Sequence, residues 1–361
     1  MSRARDFADL AGSADAGGLG GSNMVINGSM NISQRGTSST GLHDSGYYTV
    51  DRFALIFGNE DELRVTMSQN SVTDLPGFAN SLKVQTTTAE SAIAADESYY
   101  IINRYEGQDF QHLKYGTSNA LSTTLSFYVK SSVTGTFAVA IYQTDGNDII
   151  GSTYTINTAD TWEKKEITFA GNTLAAIVDD NTSAIMIDWF LAAGSNFTSV
   201  NNTSWGGYET GKLAYGHGTN AVATTTNATW EITGVQWELG EQATPFEHRS
   251  FGDELRRCQR YYYQTNDSEN SVHLQRSYNN LNYYYGQLDY PVTMRSQPTL
   301  TFQNASASVL LPSIHTTSCS WGALSRTNHS VIIEAQPGSD AGAYTYTAIC
   351  TSNSVRLDAE L

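Results

Sequence analysis

The strongest constraint on this chain is a series of short segments in which apolar and polar residues alternate, each closed by Gly, Asn, Asp or Pro. Phe53, Leu55 and Phe57 form one such set, and Leu63, Val65 and Met67 another. Residues two apart share one face of a strand, so the pattern predicts half-buried β-structure. Met24 and Ile26 begin the series. It continues at 82–84, 99–105, 125–129, 137–142, 149–156, 162–169 and 185–191, and ends at 230–239. About ten short strands with close turns predict an all-β sandwich or jelly roll. Residues Gly58 to Asp61 read as a hairpin loop between two of them.

The stretch from Trp230 to Tyr263 marks where this first domain ends. Trp230 and Ile232 share a face, and after Gly234 the apolar set moves to Val235, Trp237 and Leu239. A one-residue shift at a glycine predicts a bulged strand. Gly240 and Pro245 then stop the strand, and Ser250 with Asp253 three residues on has the form of a capping box. Phe251, Leu255, Cys258 and Tyr262 follow at spacings of four, three and four, which predicts an amphipathic helix whose stripe meets another domain or subunit. Beyond it, segments at 272–274, 283–285, 288–294, 299–303, 309–311, 331–334, 344–350 and 355–361 predict a second, smaller antiparallel β domain. The expected division is 1–22, 23–248, 249–265 for the connecting helix, and 266–361.

The run GVQWELGEQATPFEHRSFGDELRRCQRYYY, with NMVINGSMNISQRG at 23–36 and YPVTMRSQPTLTF at 290–302, resembles a family of bacteriophage virion proteins. Its members are tail-fibre or other fibre components with a jelly-roll module similar to carbohydrate-binding modules, followed by a small C-terminal β domain. The resemblance implies a non-enzymatic structural protein of the virion, made in the host cytoplasm and assembled as a homotrimer. It also implies β domains displayed toward a host-surface glycan. A head fibre or structural adaptor without a receptor, and a glycan depolymerase, are the alternatives. Residues 1–22 hold too few large apolar groups to build a core. They read either as the attachment segment to other virion proteins or as a disordered tail.

The net charge of -16 argues against nucleic acid or an anionic membrane as partner, since both require a positive footprint. No apolar run approaches the roughly 20 residues of a membrane-spanning helix, and the N-terminus lacks the apolar core of a secretory signal. Charged residues make up 16% of the chain, against about 25% in an average soluble protein. Its polar surface must come from Ser, Thr, Asn and Tyr. Cys258, Cys319 and Cys350 have no pair spacing, so neither a disulfide framework nor a zinc site is expected, although a Cys319 to Cys350 bridge stays open.

Catalytic patterns are sparse. Gly206, Gly211 and Lys212 match part of a phosphate-binding loop, but Leu213 stands where Ser or Thr should hold magnesium. No Gly-x-Ser-x-Gly elbow occurs, and the seven histidines are dispersed. Asp179-Asp180 and Glu60-Asp61-Glu62 read as solvated turns, and Asp145 to Asp148 as a hairpin turn in preference to a calcium loop. No cofactor, catalytic residue or metal ligand is expected. The one long break in strand spacing, 194–228, carries Trp205, Tyr208 and Tyr215 among Gly, Asn and Thr. These rings read as a saccharide-stacking set. For Trp205 a second reading stays open, as a cap folded onto the sandwich core.

Overall fold

The computed structural model describes residues 23–265, 275–276, 283–302, 308–310, 316–337 and 355–361. The expected attachment segment 1–22, the expected strands at 272–274 and 344–350, and Cys350 lie outside the described residues. The chain divides into two compact units between Glu254 and Leu255.

In the first unit the strands are β1 (Ser38–Leu42), β2 (Phe53–Gly58), β3 (Arg64–Ser71), β4 (Asn80–Thr88), β5 (Ser98–Glu106) and β6 (Thr123–Ser131). They continue with β7 (Gly135–Gln143), β8 (Asp148–Ile156), β9 (Glu163–Phe169), β10 (Ser183–Ala193), β11 (Gly206–Gly207) and β12 (Thr229–Leu239). Two six-stranded sheets result, in the orders β1-β3-β4-β12-β6-β9 and β11-β8-β7-β10-β5-β2, and paired neighbours are antiparallel. Consecutive strands repeatedly change sheet, and the late strands β10 and β12 insert between earlier ones. That interleaving defines a jelly roll.

Alternation places Ile185, Ile187 and Trp189 of β10 in the core between the sheets, with Phe53, Phe127, Phe137, Trp230 and Trp237. From β2 to β10 and at β12 the strands fall where the sequence places them, while β1 and β11 were not foreseen, and one connection differs. Gly58 to Asp61 is no hairpin, because β2 pairs with β5 in one sheet while β3 pairs with β1 and β4 in the other. Alternation identifies a strand; it carries nothing about which strand lies beside it.

Met24 and Ile26 also depart from the expected strand. Residues 23–25 form an irregular strap that leads into a turn at 26–29. Met24 N–H donates to Trp237 O at 2.8 Å, and Val235 N–H donates to Gly28 O at 2.9 Å. The bulge in β12 is present, with a register shift between Thr233 and Gln236 and Gly234 at φ +60°. Downstream, Glu247 accepts from Asn23 N–H at 2.7 Å, Arg249 donates to Val25 O at 2.9 Å and to Asn23 O, and Glu254 accepts from Asn27 N–H.

Short helices α1 (Ser195–Thr198) and α2 (Ala221–Thr224) lie in the long β10–β12 connection, and α3 (Phe251–Gln259) follows β12. Asp253 N–H donates to Ser250 Oγ at 3.2 Å, capping α3 as expected. The helix ends sooner than its stripe predicts. Tyr262 belongs to strand β13 (Tyr262–Gln264), where it is paired with Asp358, because consecutive tyrosines favour extended backbone. Cys258 is fully buried, Leu255 is half-buried, and Phe251 is 63% exposed.

The second unit adds β14 (Gln275–Arg276), β15 (Tyr284–Asp289), β16 (Thr299–Phe302), β17 (Ser308–Leu310), β18 (Thr316–Arg326), β19 (Ser330–Pro337) and β20 (Val355–Asp358). Its sheets run β13-β20-β16 and β14-β15-β19-β18-β17. Tyr284, Leu288, Met294, Ile333 and Leu357 form its core. Tyr283 and Tyr285, on either side of buried Tyr284, stack with centroids 6.4 Å apart, as the period of two requires. Strand β18 escaped the pattern, since its Thr, Ser, Gly and Ala show no apolar alternation.

Candidate functional site

Strand β10 is buried on both faces. Its core face holds Trp189, and its opposite face holds Asp188 at 3% exposure and Phe190 at 0%. A second apolar cluster covers this outer face: Ala138 and Ala140 of β7, Ile149 of β8 and Phe190, with Phe197, Tyr208 and Leu213 from residues 194–228. The long connection therefore folds back over its own sheet. Gly151 of β8 gives the clearest cause, because a Cβ there would lie 2.0 Å from Asn202 Nδ2. Only a glycine lets Asn202 settle on the strand, where Gly151 N–H donates to Asn202 O at 2.8 Å.

Where this cover ends, aromatic and charged groups converge. Asp188 stands opposite Ile102 on β5 and Ala140 on β7. That register sets it diagonal to Tyr100, Arg104 and Tyr142, within about 7–8 Å across the ladder. Tyr100 stacks on Phe190 at 4.7 Å, and Tyr142 meets Tyr208 at 5.0 Å. Asn147, in the β7–β8 turn at φ +54°, fixes that pair. Its Oδ1 accepts from Tyr142 Oη and its carbonyl accepts from Tyr208 N–H, both at 2.7 Å. Three half-exposed tyrosines thus surround one buried carboxyl.

Asp188 Oδ1 has no hydrogen-bond partner among the described residues. Burial pushes its carboxyl up to about 7, and the nearby Arg104 guanidinium counters this only in part. Arg104 gives its Nη1 to Tyr47 Oη at 3.2 Å, and Arg35 lies over the Tyr47 ring at 5.3 Å. Burial, then Asp188, raises the Tyr100 hydroxyl well above its ordinary range. The face therefore offers tyrosine hydroxyls and flat apolar rings above a buried, unfilled acceptor, a set suited to a polyhydroxylated ligand.

The structure divides the three rings singled out in the sequence. Strand β11 pairs with β8 through Gly206 and Gly207, and alternation sends the flanking rings to opposite sides. Trp205 packs against the main core, 5.7 Å from Tyr115, with Nε1 donating to Ala170 O at 2.6 Å. Tyr208 joins the outer face, while Tyr215 is half-buried and belongs to neither cluster. Tyr100, Arg104, Tyr142 and Asp188 were missed because they read as ordinary strand residues. The signal was present in Ile187-Asp188-Trp189: a charge inside a strand apolar on both sides.

Other sequence candidates resolve as structure. Lys212 donates to Gly207 O at 2.7 Å and pairs with Glu209 at 2.9 Å. His217 accepts from Ala138 N–H through Nδ1 at 3.2 Å, and burial lowers it to about 4, so it is a neutral structural ring. Asp145 to Asp148 closes the β7–β8 hairpin. Asp180 accepts from Thr182 N–H at 2.8 Å in a local turn. Glu60 differs, since burial, with Glu97 and Glu90 nearby, pushes its carboxyl up to about 8.

By strand order and register the first unit is an antiparallel jelly-roll sandwich. No protein-family model and no curated protein matches the chain. Solved structures similar to it include the enzymatically active domain of a bacteriophage CBA120 tailspike, at 13% identity and TM-score 0.32, covering 61% of this chain and 22% of that one. A family 11 carbohydrate-binding module of a Clostridium thermocellum cellulase aligns at 11% identity and TM-score 0.29, covering 57% and 98%. A Bacteroides thetaiotaomicron protein described as a putative sugar-binding protein aligns at 12% and 0.34, covering 60% and 100%. Overlap at these scores decides neither ligand nor activity.

Proposed function

We propose that this chain is a glycan-binding structural protein of a bacteriophage particle, joined to other virion proteins through residues 1–22 and displayed as a trimer. The single observation that carries glycan binding is Asp188, a buried carboxyl with an unfilled acceptor among Tyr100, Tyr142 and Tyr208. The virion role rests on the sequence resemblance at 23–36, 234–263 and 290–302. The reading as binding without cleavage rests on the same resemblance, which is to non-enzymatic fibre components.

The full chain is tested on an array of bacterial surface polysaccharides, with release of reducing ends measured on any that bind. Tyr142→Ala and Tyr208→Ala are each expected to weaken binding at least tenfold. Trp205→Ala should lower stability by about 3 kcal/mol, the low end for a buried Trp because the ring is half-buried, and leave affinity unchanged. Binding indifferent to both tyrosines would remove this face from consideration, and release of reducing ends would make the protein an enzyme.

A further inference from the structure

The opposite sheet carries a separate hollow of about 320 Å³ on its own outer face. Its floor is strand β6, where Ser126 and Tyr128 face outward between core residues Leu125, Phe127 and Val129. Phe78, Phe246 and His248 form one aromatic wall, and Lys164 of β9 lies on the rim. Phe78 is the hub of the aromatic wall: its ring centroid is 5.4 Å from Tyr128, 5.1 Å from Phe246 and 5.5 Å from His248. Phe246 and His248 meet at 4.9 Å.

The β12 bulge builds this cup. Gly234 lies beneath the rings, where a Cβ would come within 2.7 Å of Phe78 and 3.0 Å of Tyr128. With no side chain there, and with φ at +60°, both rings can settle against the sheet. Phe78, Tyr128 and Phe246 are held half-buried there, and His248 is exposed.

The walls narrow the occupant. Lys164 on the rim pairs with Glu166 at 2.6 Å, so its charge is offset there, and an aromatic cup alone would suit a cation. The chain's charge of -16 disfavours a polyanion. What fits is a neutral polyol with one apolar face. The volume stands at the low end for ligand sites, about 300–1,000 Å³, so the cup suits a sugar unit or two and not a long chain.

We infer that this cup is a second saccharide subsite, taking a neutral pyranose with its C–H face on Phe246 and Tyr128 and its hydroxyls toward Ser126 and Lys164. It lies on the other sheet from Asp188 and shares no residue with that face. Two sites on one sandwich would let a single chain engage a branched or repeating glycan at two points, raising avidity without new contacts.

The test is saturation-transfer NMR on the full chain with methyl glucopyranoside, methyl galactopyranoside and methyl N-acetylglucosaminide, and tetramethylammonium as the cationic probe. At least one glycoside should bind. Measured in the Tyr142→Ala background, which disables the Asp188 face, Phe246→Ala should weaken it fivefold or more and Lys164→Glu should weaken it measurably. Lys164 is exposed, so that variant reads the site even if loss of the Phe246 ring disturbs the 244–248 segment. Loss with Tyr142→Ala but not with Phe246→Ala would assign the sugar to the Asp188 face, overturning the inference and leaving the proposed function standing. Binding of tetramethylammonium alone, or of no probe, would also overturn it.

Discussion

Asp188 shows what a single residue contributes and what it costs. Burial raises its carboxyl from 3.8 to about 7, so the folded chain holds the proton more tightly than the unfolded chain. The stability this contributes is full below about pH 4, is lost as pH rises toward 7, and is absent above. Asp188→Asn should therefore gain on the wild type across that window. Melting temperatures of the two should diverge between pH 4 and 7 in favour of the variant and stay at a constant offset above. Glu60 and His217 titrate in both proteins and cancel in the comparison. A difference that does not change with pH would mean that the carboxyl is solvated. A buried acid that lowers stability at neutral pH is what a binding site retains, where the ligand's hydroxyls supply the missing partners.

Among the elements, the 23–28 strap and the 234–254 segment act as one clasp. They are the two longest sequence runs that carry the resemblance to fibre proteins, and the fold brings them into direct hydrogen-bond contact. Gly28 is where they come closest, since a Cβ there would stand 2.1 Å from Val235 O. Gly28→Ala must push the strap off β12, losing its paired backbone bonds, and should cost about 2–4 kcal/mol. Gly252, in the first turn of α3, has open space around the same position. There the change to Ala should stabilise by up to about 1 kcal/mol. Denaturant midpoints with an unchanged slope separate the two outcomes. Equal effects would mean that the clasp carries no load.

Among the described residues each unit has its own core, one between the six-stranded sheets with a further cluster on its outer face, and one within residues 255–360. Separate cores predict separate cooperative transitions. Ile333 is 1% exposed in the second core, so Ile333→Ala should cost about 2–5 kcal/mol there. Scanning calorimetry should show one transition lowered and the other unmoved. A single transition that shifts as a whole would mean that the units unfold as one.

The sequence by itself determined the strands and the nature of their surfaces. Alternation is a local property set by side chains two residues apart, so β2 to β10 and β12 were legible, as were the bulge at Gly234 and the cap at Ser250. Tertiary structure alone decided which strands are neighbours. It separated β2 from β3 into different sheets, and it inserted β10 and β12 between strands made earlier, because pairing joins residues far apart in the chain. The site follows the same rule. Tyr208 was visible as a ring on a polar loop, whereas Tyr100, Arg104, Tyr142 and Asp188 come from three strands. Only the register brings those four onto one face, and only the folded-back 194–228 segment brings Tyr208 to them.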